Sequence, residues 1–295
     1  MVGNGTPASC TAAGVVSAVR RGGLVRFDCG PGRVTIAMTA TAEVLNTSRT
    51  VVVDGGGKVT LDGLGQRRII RQDTCDQALG WTTDHCDDQQ FPRLVLRDLV
   101  LRRGAVDGDL DTGSGGAVFV RGGQLRIERT AFRDNRCAAS GPDTGGAAVR
   151  VLDQWQDRPV RVMGSSFVRG SCSNGGALSS IGVSWDIHGS RFRDNVATGS
   201  GANPARPGTA GGGSGAAIYV DGDTFDVAVR RSVLTGNHAT EGGGAIFFVS
   251  NDRTGHLSIA GSTLRRNPSD GFETDPGIFY LGRQPHPSVL HTVLR

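Results

Sequence analysis

The sequence predicts an elongated all-β repeat protein, built as a solenoid of short strands. A Gly-Gly-Ala motif, or Gly-Ala-Ala in one copy, recurs through the C-terminal two thirds, and its alanines step by 30, 30, 40 and 28 residues. Steps of this size are typical of repeat architectures, in which each repeat buries its apolar face on its neighbours. The composition agrees, because 46 of the 295 residues are glycine and only 5% are aromatic. Large side chains are too scarce to fill a globular interior.

The N-terminal residues 1–44 are predicted to cap one domain, and residues 45–295 to form its stacked coils. A short helix is expected over residues 12–20, and Gly-rich turns separate the segments that follow. These segments are rich in β-branched residues and are predicted to be strands. They span residues 24–27, 34–36, 50–53 and 58–63.

From residue 93, short stretches alternate apolar and mostly polar residues, and this period of two predicts strands with one face inside. A large apolar residue follows each stretch: Leu101, Phe132, Phe167, Phe192, Leu234 and Leu264. Three residues further on lies a glycine or an asparagine: Gly104, Asn135, Gly170, Asn195, Asn237 and Asn267. In stacked coils these positions predict an inner column and an asparagine ladder at a turn. Trp185 occupies the inward slot of Leu125 and is expected in the core.

The six cysteines are expected to form three disulfides. Cys137 and Cys172 each lie five residues after a column phenylalanine, and stacked positions in a parallel sheet are about 4.8 Å apart, within disulfide reach. Unbridged core cysteines are the alternative, and no Cys or His pair has zinc spacing. The expected pairs are Cys10–Cys29, Cys75–Cys86 and Cys137–Cys172.

The location of the protein is left open by two opposing features. Disulfides favour an extracytoplasmic or secreted protein. The start Met1-Val2-Gly3-Asn4-Gly5 lacks the charged and apolar regions of a secretory signal, and this favours the cytoplasm. No run approaches the roughly 18 apolar residues of a membrane span.

The basic residues are nearly all arginine, with Lys58 the single lysine, and the net charge is only +4. This charge is mild for a nucleic-acid binder, so no nucleic-acid partner is expected. The arginines are spread along the strands. Coding bias explains them, and a groove for a polyanion is the alternative.

The Gly-Gly-Ala-Ile strands and Phe-x-x-Asn turns resemble the right-handed parallel β-helix of pectate-lyase-like proteins. The short repeat is similar to that of polymorphic outer membrane proteins. The resemblance covers residues 45–295 and implies a single-stranded right-handed parallel β-helix with an N-terminal cap. Its fold hosts lyases, hydrolases, adhesins and some cyclases of natural products, so it carries little information on function. The Arg-x-Pro-x-x-Arg pattern of calcium-dependent pectate lyases is absent.

The loops that follow the Gly-Gly-Ala strands are expected to share one edge and to carry a site. They contain two of the three tryptophans, Trp81 and Trp155, and most loop carboxylates. The tryptophans are predicted to shape a substrate. The residue predicted to polarise it is His85, Asp84, Asp252 or Arg253. Alternatively, the Asp-rich disulfide loop is a solvated cap.

The Gly-Gly-Ala strands predict a second part of the site. An aliphatic column is expected inside: Val118, Ala148, Leu178, Ile218, Ile246 and Ile278. Its sequence neighbours would then face outward as an apolar row: Phe119, Val149, Ser179, Tyr219, Phe247 and Phe279. Exposed aromatic residues of this row, namely Phe119, Tyr219, Phe247 and Phe279, are predicted to bind substrate. A slip of one residue would instead place the row in the core.

The loop at residues 199–213 carries the ten extra residues of the 40-residue step. It is expected to project as a flap, either a lid or a plain surface insertion. The turn from Asp107 to Asp111 is acidic but lacks the bidentate glutamate of an EF-hand loop. No metal and no cofactor are therefore expected.

Three functions remain open. The first is a cofactor-free cyclase or isomerase acting on a small apolar substrate, which needs positioning more than reactive groups. The second is a secreted carbohydrate-active or carbohydrate-binding protein. The third is a structural or adhesive envelope protein without activity. The expected partner is a small molecule or an oligosaccharide, and the protein is expected to be a monomer.

Overall fold

Parallel pairing between successive coils builds the molecule, which a computed structural model describes for residues 1–108 and 113–295. The strands lie in three sheets, of sixteen, eight and three strands. Neighbouring strands in each sheet come from successive coils and run parallel. The predicted all-β parallel β-helix with an N-terminal cap is confirmed. No helix in the described ranges is long and apolar enough to cross a membrane.

The sixteen-stranded sheet, here called the long sheet, takes two consecutive strands from most coils. A residue with positive φ, such as Arg129 or Arg231, separates the two strands. The strands are Gly23–Arg26, Val34–Ala37, Thr50–Asp62, Arg93–Arg102, Gln124–Glu128, Ala131–Arg133, Val160–Met163, Ser166–Val168, Trp185–His188, Arg191–Arg193, Asp226–Arg230, Val233–Thr235, His256–Ala260, Thr263–Arg265, Ser288–Leu290 and Val293–Leu294.

The other two sheets complete each coil. The eight-stranded sheet consists of Ala42–Val44, Ile70–Asp73, Val118–Arg121, Val149–Leu152, Leu178–Ile181, Ile218–Gly222, Ile246–Ser250 and Ile278–Leu281. The short sheet consists of Ser171–Cys172, Val196–Ala197 and His238–Ala239. Single 3-10 turns occur at Pro7–Ser9, Gln77–Leu79, Cys86–Asp88 and Trp155–Asp157.

The helix Ala12–Arg21 caps the N-terminal end, as predicted. The Thr11 side chain accepts a hydrogen bond from the Gly14 amide and so satisfies a free donor of the first turn. The helix buries Val15 and Val19 completely. The cap therefore covers the apolar end of the first coils, which a solenoid would otherwise expose.

The predicted inner column and ladder are confirmed. The rings of Phe132 and Phe167 stack at 4.9 Å, and those of Phe167 and Phe192 at 4.7 Å. At the adjoining turn, Asn195 Nδ2 donates to Asn237 Oδ1 at 2.8 Å, and the same bond links Asn237 to Asn267. Parallel register brings equal positions of successive coils together, so a sequence repeat becomes a physical stack.

All three predicted disulfides are present. They join Cys10 to Cys29, Cys75 to Cys86 and Cys137 to Cys172. The third connects successive coils, and its Cα atoms are 4.7 Å apart. Trp185 is buried in the core, as predicted, and its Nε1 donates to Ser180 Oγ at 2.9 Å.

The register expected for one Gly-Gly-Ala strand was wrong by one residue. Val149, and not Ala148, pairs with Val118 on one side and with Leu178 on the other. The pairing therefore places Arg150, and not Val149, next to Phe119 and Ser179. A single slip exchanges inward and outward positions because side chains alternate along a strand. The outward row thus contains a buried arginine that the sequence did not indicate.

Candidate functional site

The predicted aromatic row faces away from the interior, yet it is not exposed. Val118 and Val120 belong to the interior apolar cluster, whereas Phe119 between them does not, as expected from alternation along a strand. Only 1% of Phe119, 1% of Tyr219 and 5% of Phe247 is accessible. The expectation of an open apolar groove was therefore wrong. A role for Phe119, Tyr219, Phe247 and Phe279 in substrate binding stays a prediction.

Loops that enter the strands cover this row. The Arg68 guanidinium lies 4.9 Å from the centre of the Phe119 ring. The Phe272 ring meets Phe247 edge-on at 6.4 Å. Asn203, in the flap at residues 199–213, donates to the Tyr219 hydroxyl at 3.2 Å. The sequence could not indicate this cover, because two of the contacts join a loop to a strand of a different coil and the third joins Asn203 to a residue 16 positions further along the chain.

Polar groups meet beneath the flap. Asp221 Oδ2 accepts from the Tyr219 hydroxyl at 3.1 Å and from Asn203 Nδ2 at 3.2 Å. Burial is the main cause that raises the pKa of Asp221, and the nearby charge of Asp143 raises it further. Burial also raises the pKa of Tyr219, so the phenol stays protonated. In the same row, Arg150 Nη1 donates to Ser179 Oγ at 2.5 Å.

The predicted catalytic residues do not form one set. Asp84 and His85 lie exposed in the loop after Ile70–Asp73, whereas Asp252 and Arg253 lie in the loop after Ile246–Ser250. Four strands of the sheet separate these two strands. At about 4.8 Å per strand the two loops are stacked roughly 24 Å apart. Loops on one edge are spread along the axis of the helix, so these four residues do not share one site, and a catalytic role for any of them stays a prediction.

Asp252 has a structural environment of its own. Its carboxylate accepts from Thr224 Oγ1 at 3.0 Å, from Ser250 Oγ at 2.9 Å and from the Thr254 amide at 3.0 Å. These hydrogen bonds, led by that of the Thr254 backbone, lower the pKa of Asp252 to about 2. A carboxylate with so low a pKa is a weak base and carries no proton to donate at neutral pH, so it is poorly matched to proton transfer. Its contacts instead stabilise the loop.

The two edge tryptophans differ in setting. Trp81 is 51% exposed, and its carbonyl accepts from Asn46 near the N-terminal cap. Trp155 is half-buried, and the Arg158 guanidinium lies 4.2 Å from its ring centre. The disulfide loop touches the Trp155 loop, since Asp88 Oδ1 accepts from the Gln156 amide at 2.6 Å. Trp155 lies next to a cavity, since Gln154 and Arg158 on either side of it in the chain line that cavity.

That cavity is a groove of about 400 Å³ on the outer face of the long sheet. We call it the arginine groove, because four guanidiniums line it together with two amides. The lining includes Arg93, Arg126, Arg158, Arg161, Gln124 and Gln154. Parallel register places Arg161 directly beside Arg126. The groove is therefore lined by positively charged side chains from three strands and one edge loop.

Four other arginines in or next to the strands of the long sheet are paired with aspartates of neighbouring coils. Each of these ion pairs has an N–O distance of 2.9 Å or less. The pairs are Arg97–Asp54, Arg129–Asp98, Arg169–Asp134 and Arg230–Asp186. In the arginine groove only Arg126 has such a partner, Glu128 on its own strand. Within residues 1–108 and 113–295, no carboxylate lies within ion-pair distance of Arg93, Arg158 or Arg161.

The sequence contained a signal for this groove. Arg93, Arg126 and Arg161 stand at polar positions of alternating stretches, one coil apart. Their convergence depends on register, however, and the arginines that are paired with aspartate look the same in the sequence.

Asp153, which precedes groove residue Gln154, is one of the carboxylates in the loops of the predicted edge, and the sequence does not distinguish it from the others. Its pKa is raised mainly by burial, and also by Asp87, Asp157 and Asp88.

A metal centre is not apparent among the residues that the structure describes, since no three His, Cys, Asp or Glu side chains come together as a ligand set there. Of the acidic turn considered above, Asp109 to Asp111 lie outside the described residues. Comparison of the chain with protein-family models, with curated proteins and with solved structures found no match.

Proposed function

We propose that this protein binds an acidic oligosaccharide, one whose sugars carry carboxylates, in the arginine groove. One observation carries the proposal. Four guanidiniums line a single cavity, and three of them have no carboxylate partner in the described part of the chain. An anionic ligand would supply the missing charges.

The chemistry of the lining favours a sugar acid. A guanidinium presents a planar fork of donors that matches a carboxylate. Gln124 also lines the groove; its Nε2 donates to the Gln90 carbonyl, and its amide oxygen can accept from a sugar hydroxyl. Trp155 stands at the rim with a ring face already covered by a cation. The groove is therefore suited to a ligand with repeated anionic and hydroxyl groups.

Two further features support carbohydrate binding over the other hypotheses. The three disulfides suit a protein of an oxidising compartment, where extracellular glycans occur. The cyclase hypothesis required an exposed aromatic row, and that row is covered. The mild net charge of +4 remains unfavourable for nucleic acid.

Calorimetric titration with an oligogalacturonate tests the proposal, with a neutral malto-oligosaccharide of equal length as the control ligand. Arg161→Ala is expected to weaken binding about 10-fold, because a hydrogen bond to a charged group contributes roughly 1.5–3 kcal/mol. Arg158→Ala/Arg161→Ala is expected to weaken it further. The matched control is Arg230→Ala, which removes a guanidinium paired with Asp186 on the same face and should leave affinity nearly unchanged.

Binding is also expected to weaken as salt is raised, since the groove charges are exposed. Ultraviolet absorbance of unsaturated uronates in the same samples would reveal lyase activity. Equal affinity of wild type and Arg161→Ala, or equal affinity for the neutral oligosaccharide, would contradict the proposal.

A further inference from the structure

The flap at residues 199–213 is a self-contained hairpin. Ser200 pairs with Gly211, and Ala202 with Gly212, in antiparallel bridges. Its two ends nearly touch, because a Cβ on Gly199 would lie only 2.5 Å from the Gly213 nitrogen. Residues 204–208 at the tip are exposed. A hairpin with a narrow base and its own ladder can move as one piece.

Besides backbone bonds such as that from the Gly141 amide to the Gly211 carbonyl at 3.2 Å, side chains hold this flap on the body at two places. Glu241 accepts from Arg206 in the tip at 2.7 and 3.0 Å and from the Gly201 amide near the base at 2.7 Å. At the second place the donor is the Asn203 amide, whose Nδ2 lies 2.9 Å from Asp143 Oδ1 and 3.2 Å from Asp221 Oδ2. There the flap contributes a single neutral donor to two carboxylates.

The contact of Asn203 with the two carboxylates is electrostatically unfavourable. The carboxylates of Asp143 and Asp221 face the same amide, so they repel each other while the flap is closed. The other groups that face Asp221 are the Tyr219 hydroxyl on its own strand and the Asn251 amide at 3.4 Å. Arg150 lies near enough to affect the titration of Tyr219. The raised pKa of Asp221, due first to burial and then to Asp143 and other terms, agrees with this cost.

We propose that the flap is a lid over the outward aromatic row, latched by the Asn203 amide between Asp143 and Asp221 and by the ion pair of Arg206 with Glu241. Opening it uncovers Tyr219, whose ring stacks on Phe247 at 5.0 Å and is part of a continuous surface of rings. The lid stands on the eight-stranded sheet, whereas the arginine groove stands on the long sheet. The inference is therefore independent of the proposed function.

The two tyrosines of the chain provide the test. Tyr219 lies under the flap, whereas Tyr280 is 2% exposed and belongs to the interior cluster. Nitration of each tyrosine, followed by mass spectrometry of peptides, reports lid opening and uses Tyr280 as the internal control. In Asn203→Ala, Tyr219 is expected to react about 10-fold faster than in wild type, because two hydrogen bonds to carboxylates are lost. Tyr280 should react at an unchanged rate.

Two further variants sharpen the measurement. Asn203→Asp keeps the size of the side chain but places a third carboxylate beside Asp143 and Asp221, so Tyr219 should again react faster at pH 7. Ala205→Ser alters the exposed tip without touching the latch and should behave as wild type. Unchanged nitration of Tyr219 in both Asn203 variants would overturn the proposal. An equal rise at Tyr219 and Tyr280 would also overturn it, because the flap would then open only with the whole fold.

Discussion

At the scale of single residues, the hydrogen-bond donors around a carboxylate and its burial decide whether its charged form is favoured. Asp252 was a candidate acid or base, yet four side-chain and backbone donors hold it as an anion. Asp221 has the opposite setting, because burial and Asp143 disfavour its charge. Both are loop-edge aspartates in the sequence. Their difference lies in donors and burial, which come from neighbouring coils.

The pKa of Asp252 leads to a prediction about stability and pH. Its folded pKa is lowered to about 2 from an ordinary 3.8, so its contribution is present above pH 3.8 and is lost as pH falls through about 2. Asp252→Ala is therefore expected to lower the melting temperature at pH 7. The difference from wild type should shrink between pH 4 and pH 2 in thermal unfolding. A difference that stays constant over this range would count against the hydrogen-bonded carboxylate.

At the scale of elements, side chains at equivalent positions of successive coils stack in columns, and this packing stabilises the fold. Phe132, Phe167 and Phe192 stack with interplanar angles of 5° and 6°, and Phe167 is fully buried between the other two. Such a stack follows directly from the parallel register, in which Phe167 pairs with both neighbours.

Truncation of the central ring tests the column. Phe167→Ala is expected to lower the free energy of unfolding by about 3–5 kcal/mol, through lost burial and the cavity left behind. The matched control is Met163→Ala, in the preceding strand, where the side chain is 41% exposed and faces outward. Urea unfolding measures both, and a loss of equal size in the two variants would argue against the buried column.

At the scale of the whole molecule, each coil contacts mainly its neighbours, so links between coils matter for cooperativity. The Cys137–Cys172 disulfide is such a link, and it closes a segment of 35 residues. Its removal in Cys137→Ser/Cys172→Ser is expected to cost roughly 2–4 kcal/mol, mainly by freeing the unfolded chain. Cys75→Ser/Cys86→Ser is the comparison, since that bond closes only 11 residues and should cost less. Urea unfolding under non-reducing conditions checks the order of the two.

The sequence by itself determined the fold of this protein. Alternating apolar residues, the Phe-x-x-Asn turns and the steps between alanines predict strands, an inner column, an asparagine ladder and the three disulfides. They do so because, in a parallel solenoid, residues about one repeat apart in sequence become neighbours in space. The N-terminal cap could also be predicted from local sequence, because it needs only Thr11 and the apolar face of one short helix.

Only the tertiary structure decided where a ligand can bind. One slipped residue placed Arg150 in the aromatic row, and loops from other coils covered Phe119, Tyr219 and Phe247. The arginine groove appears only when ion pairs are assigned, because paired and unpaired arginines share the same sequence pattern. Loop paths and charge pairing depend on contacts between residues far apart in the chain, and no periodicity encodes them.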